Sequence, residues 1–259
     1  MNILYLGDII GKPGRNLVKE HLPNLRKEFD ISVCIANGEN VAQGRGITEK
    51  TANELFLAGV DVFTSGNHLW DKKESLDFIA SEKRILKPLN YPEKAIGSKY
   101  YIFETAEQKK IAVISLIGQV FMAPADSPYA AFERILPEIT EITNIIFVDF
   151  HAEATAEKRA LGFYLEGKIT ALIGSHTHIQ TADEEILPGG TAYITDAGMT
   201  GPHDSVIGTD KHIILQKFTS GMPLRFDVAS GGLQINGVVV IADDNTGKAT
   251  EIIRLRRNY

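Results

Sequence analysis

Short apolar runs alternate with longer amphipathic segments in the first quarter of the chain. Three runs of β-branched and aliphatic residues occupy positions 2–6, 31–36 and 60–64. Apolar side chains recur at helical spacing from about Pro13 to Phe29, where Pro23 is expected to bend or split the helix. Thr48 is a typical N-cap for a second helix, which Gly59 would end. This strand–loop–helix rhythm predicts a largely parallel sheet flanked by helices.

Further strand patterns follow, and the last third of the chain is richer in strands than in helices. A charged helix is predicted at about 71–80. Strands are then predicted at residues 100–103, 111–117, 144–150 and 169–174. In the last third, strands separated by glycine-rich turns are predicted at 192–195, 211–218, 237–242 and 249–255. Because no repeat, low-complexity segment or linker divides the chain, we expect one domain over residues 1–259 with two packed sheets.

Five of the predicted strands end in polar clusters of related chemistry. The clusters are Gly7-Asp8, Gly38-Glu39-Asn40, Gly66-Asn67-His68, His151-Ala152-Glu153 and Gly174-Ser175-His176-Thr177-His178. Loops at the carboxyl ends of parallel strands share one edge of the sheet, where α/β proteins bind their ligands. Four of the seven histidines lie in these loops. Carboxylates, amide oxygens and imidazoles together suit manganese, iron, cobalt or zinc, so a transition-metal site is predicted at this edge.

Each of these residues also has an ordinary structural interpretation. Asp8 alone could cap the helix that follows it, and Asn40 or Asn67 alone would be a typical turn residue. A lone His151 after an apolar strand is more often a hydrogen-bonded structural histidine. The pair in His176-Thr177-His178 is harder to explain this way, because in an extended segment both imidazoles point to the same side. Five such coincidences at five strand ends favour the metal-site interpretation.

Composition and charge limit the class of protein. The 259 residues are 44% hydrophobic and 23% charged, which is ordinary for a globular protein. The net charge is −6 and no basic run is present, so tight binding of DNA or long RNA is not expected. An acidic protein that acts on phosphates must supply positive charge locally, and bound metal does so. Cys34 is the only cysteine, which excludes an intrachain disulfide and a cysteine-rich zinc module.

The start of the chain and its apolar runs bear on the compartment. The segment 1–14 has no basic leader before its apolar stretch, unlike a signal peptide. No apolar run approaches the ~20 residues needed to cross a bilayer. We therefore expect a cytoplasmic protein without membrane contact.

The polar clusters resemble the motifs of the calcineurin-like metallophosphoesterase superfamily and occur in the same order. Gly66-Asn67-His68 and the cluster 174–178 are the most specific in combination. Two departures narrow the match, because Ile10 replaces a usual histidine ligand and Gly38-Glu39-Asn40 replaces a usual Gly-Asp. Together with the segment 66–71, these changes resemble the bacterial YmdB-like subfamily. That resemblance implies an α/β fold, a four-layer αββα sandwich of two mixed β-sheets flanked by helices, and phosphodiesterase activity.

The resemblance also implies two metal ions, with iron or manganese favoured and zinc or cobalt as alternatives. The first ion would be held by Asp8, Glu39, Asn40 and His178. The second ion would be held by Glu39, Asn67, His151 and His176. Glu39 would bridge the two ions, and Asn40 would occupy the coordination position vacated at Ile10. His68 matches the residue that acts as proton donor in this family.

These assignments describe a dinuclear phosphodiesterase acting on small phosphodiesters, notably 2′,3′-cyclic nucleotides. Two cations ~3.5–4 Å apart can hold a bridging hydroxide, which attacks phosphorus, and can clamp the phosphate oxygens. His68 would protonate the departing ribose oxygen, which is typically worth ~10²–10⁴-fold in rate. Short RNA ends are an open alternative as substrate, DNA is not expected, and a homo-oligomer is compatible with the sequence.

Two other functions fit the same residues. A phosphomonoesterase or nucleotidase would share the metal chemistry, and only a substrate panel separates it from a phosphodiesterase. A regulatory metal-binding protein acting through partners is the third interpretation. The retained His68 argues against it, since a protein without catalysis has no need of a proton donor beside its metals.

Overall fold

The computed structural model describes all residues, 1–259, which form two β-sheets and the helices that cover them. The strands are β1 (Asn2–Leu6), β2 (Asp8–Ile9), β3 (Val33–Asn37), β4 (Val62–Thr64), β5 (Tyr100–Glu104), β6 (Lys110–Ile117), β7 (Ile146–His151), β8 (Ala171–Ser175), β9 (Glu185–Ile186), β10 (Ala192–Ile194), β11 (Met199–Pro202), β12 (Leu233–Ala242) and β13 (Ala249–Asn258). The helices are α1 (Gly11–Glu28), α2 (Glu49–Ala58), α3 (Leu76–Ser81), α4 (Pro128–Thr140), α5 (Thr155–Leu165) and α6 (Lys211–Ser220). A short 3₁₀ turn, Lys73–Ser75, precedes α3.

Both sheets are mixed, with parallel and antiparallel strand pairs. The first sheet has the order β2-β11-β12-β1-β3-β4, and β13 also pairs with β12. Strands β1, β3 and β4 are parallel, whereas β12 runs antiparallel to β1. The second sheet has the order β5-β6-β7-β8-β10-β9, in which only the two edge strands β5 and β9 are antiparallel to their neighbours. The prediction of two mixed sheets is confirmed.

Three hydrophobic cores separate the layers of the sandwich. Between the sheets, Tyr5 of β1 packs against Phe147 of β7, with ring centres 5.4 Å apart. Helices α1 and α2 cover the outer face of the first sheet, where Leu22 is fully buried. Helices α4 and α5 cover the outer face of the second sheet with Phe132 and Leu161. The four layers are therefore helix, sheet, sheet and helix, as the resemblance implied, and the shared middle core supports the proposal of a single domain.

The strands that carry the polar clusters end at one edge of the sandwich, where backbones approach closely. A Cβ atom on Gly7 would lie 1.9 Å from the carbonyl oxygen of Gly198. A Cβ atom on Gly174 would lie 1.8 Å from the carbonyl oxygen of Thr195. Only glycine permits these contacts, so the glycines before Asp8 and before the 175–178 segment let neighbouring strand ends of each sheet pack backbone against backbone there.

Most of the predicted elements are present, with boundaries shifted by a few residues. The side chain of Thr48 caps α2, and Gly59 ends that helix in the left-handed region at φ 107°. Helix α1 runs unbroken through Pro23, so of the two predicted effects, a bend or a split, the split is wrong. Helices α4 and α5 were not predicted from the sequence. None of the helices is long and apolar enough to cross a membrane.

The prediction of a strand at 211–218 is wrong, because this segment forms helix α6. The carboxylate of Asp210 accepts hydrogen bonds from the backbone N–H groups of His212 (2.9 Å) and Ile213 (3.2 Å), which caps the helix N-terminus. Gly221 ends the helix in the left-handed region at φ 69°. The β-branched residues in the segment favour a strand, but both ends carry strong helix caps, and the caps prevail.

Replacing the N-cap of α6 tests this assignment. Asp210→Ala removes the acceptor for two backbone N–H groups, which is expected to destabilise the helix by about 1 kcal/mol. Amide hydrogen exchange in residues 211–220 should then accelerate by about fivefold, while exchange in α1 stays unchanged. Asp210→Ser keeps a capping oxygen and should restore most of the protection. Equal exchange in all three proteins would contradict the capping role.

Candidate metal centre

Three imidazoles converge where β7 and β8 end. His151 is the last residue of β7 and is fully buried. His176 and His178 follow β8 and are partly buried. Both adopt positive φ values, 96° for His176 and 66° for His178, which is uncommon for residues other than glycine. The backbone is therefore held in an unfavourable conformation that aims both rings at the same site.

One group of potential ligand atoms surrounds the Nε2 atom of His151. This nitrogen lies 3.1 Å from Glu39 Oε1, 3.1 Å from Asn67 Oδ1 and 3.0 Å from His176 Nδ1. Ligand atoms of Glu39, His151 and His176 all lie within 4.8 Å of one another. The structure thus brings together the four residues that were expected to share one metal ion.

A second group of polar atoms surrounds the side-chain amide of Asn40. Its Nδ2 atom lies 3.4 Å from each of three acceptors, Asp8 Oδ1, Glu39 Oε1 and His178 Nε2. His178 Nε2 also lies 3.7 Å from Asp8 Oδ1. A donor group thus occupies the point where three acceptors meet, and a half-turn of the amide would present Oδ1 instead. Since Glu39 belongs to both groups, it is the side chain that links them.

The outer nitrogen of each imidazole is held by an oxygen atom. The contacts are His151 Nδ1 to Ser175 Oγ (3.0 Å), His176 Nε2 to Glu153 Oε2 (3.0 Å) and His178 Nδ1 to the carbonyl oxygen of Ile207 (2.9 Å). An N–H group that donates to such an oxygen leaves the other ring nitrogen free to face the cluster. Metal-binding histidines are typically oriented in this way.

A buried hydrogen-bond network stands behind His151. Ser175 Oγ donates its hydrogen bond to Asp149 Oδ1 at 2.6 Å. Because its proton points to Asp149, Ser175 Oγ is the acceptor in its hydrogen bond with His151 Nδ1. Asp149 Oδ2 also accepts from Tyr5 Oη (2.8 Å) and Thr64 Oγ1 (2.5 Å). With its proton committed to Asp149, the serine fixes which nitrogen of His151 faces the other ligand atoms.

The shifted pKa values of the clustered side chains indicate that the buried carboxylates Asp8 and Glu39 are stabilised by nearby positive charge. Burial raises the pKa of the Asp8 carboxyl to about 6, although His178 and His151 act in the opposite direction. Burial would also raise the pKa of Glu39, but the charge and hydrogen bond of His151 lower it to about 2. Burial would lower the pKa of His151, and the same Glu39 contact raises it to about 9. A proton on His151 thus neutralises the buried Glu39.

The second imidazole of this group is held neutral. Burial and the neighbouring charge of His151 lower the pKa of His176 to about 3, so its Nδ1 atom carries a free lone pair. Neutral imidazole, carboxylate and amide donors around a site that attracts a positive charge are what a divalent transition metal requires. The residues present therefore fit the metal centre that the sequence predicts.

A buried ion pair holds the backbone between His176 and His178, the two histidines that follow β8. The carboxylate of Asp196 accepts hydrogen bonds from Thr177 N (3.0 Å) and Thr177 Oγ1 (2.8 Å). The ammonium group of Lys158 lies 2.8 Å from the same carboxylate oxygen and 2.8 Å from the carbonyl oxygen of Ser175. Lys158 and Asp196 are both fully buried. These bonds stabilise the positive-φ conformations on either side of Thr177.

His68 lies at the entrance of the site. Its backbone N–H donates to Glu39 Oε2 at 2.9 Å, and its Nδ1 atom lies 2.9 Å from Asp71 Oδ2. Its Nε2 atom has no hydrogen-bond partner, and the side chain lines the cavity beside the metal groups. The orientation by Asp71 leaves Nε2 as the nitrogen that can exchange a proton with a ligand.

A cavity of about 490 Å³ opens beside the two ligand groups. Its other walls come from the loop after Asn40, the segment 206–209, helix α6 and the segment 226–228. The contribution of helix α6 to this cavity was not predicted, because residues 211–218 were predicted to form a strand. Sequence reasoning also missed Lys158, for which no sequence signal existed, and Asp196, which follows strand β10 and matches the strand-end pattern of the other site residues.

The αββα sandwich with carboxylate, amide and imidazole side chains at its strand ends is that of a metallophosphoesterase. The YmdB-like protein family matches residues 4–255, and the chain belongs to this family. The chain is 47% identical over 258 residues to the 2′,3′-cyclic-nucleotide 2′-phosphodiesterase of Bacillus subtilis, covering 100% of this chain and 97% of that protein. The resemblance stated from the sequence is confirmed.

Solved structures show the same fold. A Thermus thermophilus protein described as hypothetical shares 37% identity with a TM-score of 0.93, covering 100% of this chain and 99% of that one. A protein described as a novel phosphatase from Mycoplasma pneumoniae shares 34% identity with a TM-score of 0.93, covering 100% of this chain and 93% of that one. These relatives support phosphoester hydrolysis as the general activity.

Gly66 packs directly against the ring of His151, which allows a test of the metal centre. A Cβ atom at Gly66 would lie 2.0 Å from His151 Cδ2, so Gly66→Ala must displace the imidazole. We expect this variant to lose at least one bound metal ion per chain, as measured by elemental analysis of the purified protein. Gly231→Ala is the control, because its Cβ would lie 3.4 Å from Asp204, at ordinary contact distance. Full metal content in folded Gly66→Ala would contradict this arrangement.

The bond from Thr177 to Asp196 gives a second test. Thr177→Val removes the hydroxyl donor and is expected to weaken metal binding by about 10–100-fold, as is usual when a ligand's support is lost. Thr177→Ser keeps the hydroxyl and should bind metal nearly as well as the original protein. Titration calorimetry of metal-free protein measures both affinities. Thr219 is exposed, so Thr219→Val is the control for the loss of a threonine hydroxyl. Equal metal affinities in all variants would show that the Thr177–Asp196 hydrogen bond does not support metal binding.

Proposed function

We propose that this chain is a two-metal phosphodiesterase that hydrolyses 2′,3′-cyclic nucleotides. The observation that carries the proposal is the orientation of the three imidazoles, whose outer nitrogens are bound by oxygens and whose inner nitrogens face Asp8 and Glu39. The substrate class follows the name of the Bacillus subtilis relative, with which the chain aligns over its full length. The conclusion therefore combines a site suited to phosphate chemistry with the activity of a similar protein.

The two groups of ligand atoms support two metal positions. One ion would be held by Asp8, Glu39, Asn40 and His178. The other would be held by Glu39, Asn67, His151 and His176. We propose iron or manganese because the donors are nitrogen and oxygen atoms without a thiolate, and the same donors also accept zinc or cobalt. When bound, the ions supply the positive charge that polarises the phosphate and activates water at neutral pH.

His68 is the proposed proton donor to the leaving oxygen. Its Nδ1 atom is held by Asp71, and Nε2 is free beside the cavity. Cleavage at the ribose 2′ oxygen requires a proton on that oxygen as it departs, and an imidazolium supplies one near neutral pH. The product would be a nucleoside 3′-monophosphate. The backbone N–H of His68 donates to Glu39, which couples the position of the donor to that of the proposed bridging carboxylate.

Other expectations stay predictions. A cytoplasmic location, the absence of DNA binding and the capacity to form a homo-oligomer are suggested by the sequence only. A nucleotidase would use the same potential metal ligands. Because the Mycoplasma pneumoniae relative is described as a phosphatase, nucleotidase activity is the alternative that the experiment must test.

The direct test is hydrolysis of 2′,3′-cyclic AMP by protein loaded with manganese or iron. The original protein should convert it to a monophosphate that accumulates, and His68→Ala should lower kcat by about 10²–10⁴-fold. The loss should be much smaller for bis-p-nitrophenyl phosphate, whose leaving group needs no proton. His21→Ala serves as the control, because His21 stacks on Tyr259 away from the site.

Two results would overturn this assignment. Release of inorganic phosphate from AMP without cleavage of the cyclic ester would make the protein a nucleotidase. An equal loss on both substrates in His68→Ala would remove the proton-donor role and leave the metal chemistry intact.

A further inference from the structure

The two groups of potential metal-ligand atoms lie at one end of the cavity. The far wall presents apolar side chains that no part of the chain covers, since Ile207 is 50% exposed, Phe218 is 76% exposed and Phe226 is 38% exposed. Two of the three are aromatic and lie beside a polar site. Exposed aromatic side chains in such a position are typical of surfaces on which nucleobases stack.

The same cavity contains two cations without an acidic partner. Neither Arg45 nor Lys217 has a carboxylate within ion-pair distance, although the chain carries a net charge of −6. The ammonium group of Lys217 lies 4.4 Å from the centre of the Phe226 ring. On the same helix, Lys211 does pair with Asp204, at 2.6 Å. The two cavity cations are therefore available to an anionic ligand.

The loop that carries Arg45 is shaped by packing. Gly44 and Gly46 have φ values of 86° and 76°. A Cβ atom on Gly44 would lie 2.9 Å from Val228, and one on Gly46 would lie 2.8 Å from Lys72. The two glycines let the loop pack closely against both neighbours. Arg45 is thus presented to the cavity by a defined turn that begins directly after the metal-site residues 39–40.

The cavity has more cationic side chains than the single phosphate of a cyclic mononucleotide would use. A 2′,3′-cyclic nucleotide has one phosphate, which the metal groups would bind. Asp227 also lines the cavity, but it makes no ion pair with Arg45 or Lys217. The guanidinium and ammonium groups of these two residues would then have no phosphate partner, although both groups are typical phosphate ligands. A substrate with a second phosphate and a further base would use both the cations and the aromatic side chains.

We propose that this wall binds the nucleotide that precedes the cyclic phosphate, so that short oligoribonucleotides ending in a 2′,3′-cyclic phosphate are the preferred substrates. The proposal rests on the phosphodiesterase function proposed above. Arg45 and Lys217 bind the internucleotide phosphate, and Phe218 and Phe226 stack with the preceding base. The wall is short and the rest of the protein is acidic, so it suits a short single-stranded end and not a long nucleic acid.

The test compares three substrates with metal-loaded protein: 2′,3′-cyclic AMP, the same nucleotide with a 5′-phosphate, and a diadenosine dinucleotide ending in a 2′,3′-cyclic phosphate. The original protein should show kcat/KM at least about tenfold higher for the dinucleotide, as expected from one stacked base and one bound phosphate. Arg45→Ala, Lys217→Ala and Phe226→Leu should each reduce this ratio several-fold. Lys211→Ala, whose ammonium is paired with Asp204, should keep it. Added salt should lower the ratio in the original protein.

Each alternative result has a distinct meaning. No cleavage of any cyclic ester means that the proposed function fails. Equal kcat/KM for the mononucleotide and the dinucleotide, with no change in the variants, overturns the subsite but leaves the phosphodiesterase in place. A 5′-phosphorylated mononucleotide that is cleaved as well as the dinucleotide overturns the oligonucleotide preference, because a terminal phosphate alone then satisfies the cations.

Discussion

Asp8 and Glu39 are carboxylates buried at the junction of the two sheets, and the nearby groups that can carry positive charge are imidazoles. An unpaired buried carboxylate is costly, so this edge of the sandwich is stable only if a proton or a cation lies among these side chains. Glu39 contributes to both groups of ligand atoms and also accepts a hydrogen bond from the backbone of His68. The position of one carboxylate thus links both groups of potential ligand atoms to His68, the proposed proton donor.

The surrounding fold is organised to keep these groups in place. Asp149 and Ser175 fix the orientation of His151, while the Lys158–Asp196 pair holds the backbone between the other two histidines. Fully satisfied buried polar networks are rigid, and their rigidity offsets the unfavourable backbone conformation of His176 and His178. The same buried interactions that cost desolvation energy therefore hold the proposed ligands in fixed positions, as a metal site requires.

The sequence predicted that these polar side chains meet because they follow the ends of parallel strands, and this topology brings strand ends to one edge. It also predicted helix α2, because Thr48 and Gly59 are local signals that need no tertiary information. The cavity wall escaped prediction for two reasons. The β-branched residues of α6 led to a strand prediction for this segment, although Asp210 and Gly221 are helix-capping residues. The return of segment 226–228 to the site depends on long-range packing, which leaves no periodic pattern.

Ile10 connects the metal centre with the cavity wall. It stands where related enzymes usually have a histidine ligand, and here it is almost fully buried. A Cβ atom on Gly201 would lie 3.0 Å from Ile10 Cβ, and one on Gly208 would lie 2.9 Å from Ile10 Cγ2, so the segment between these glycines packs closely on the isoleucine. Ile207 in that segment binds His178 Nδ1 through its carbonyl oxygen. The apolar side chain at position 10 thus supports the cavity wall, and through the wall it helps to orient His178, a proposed ligand.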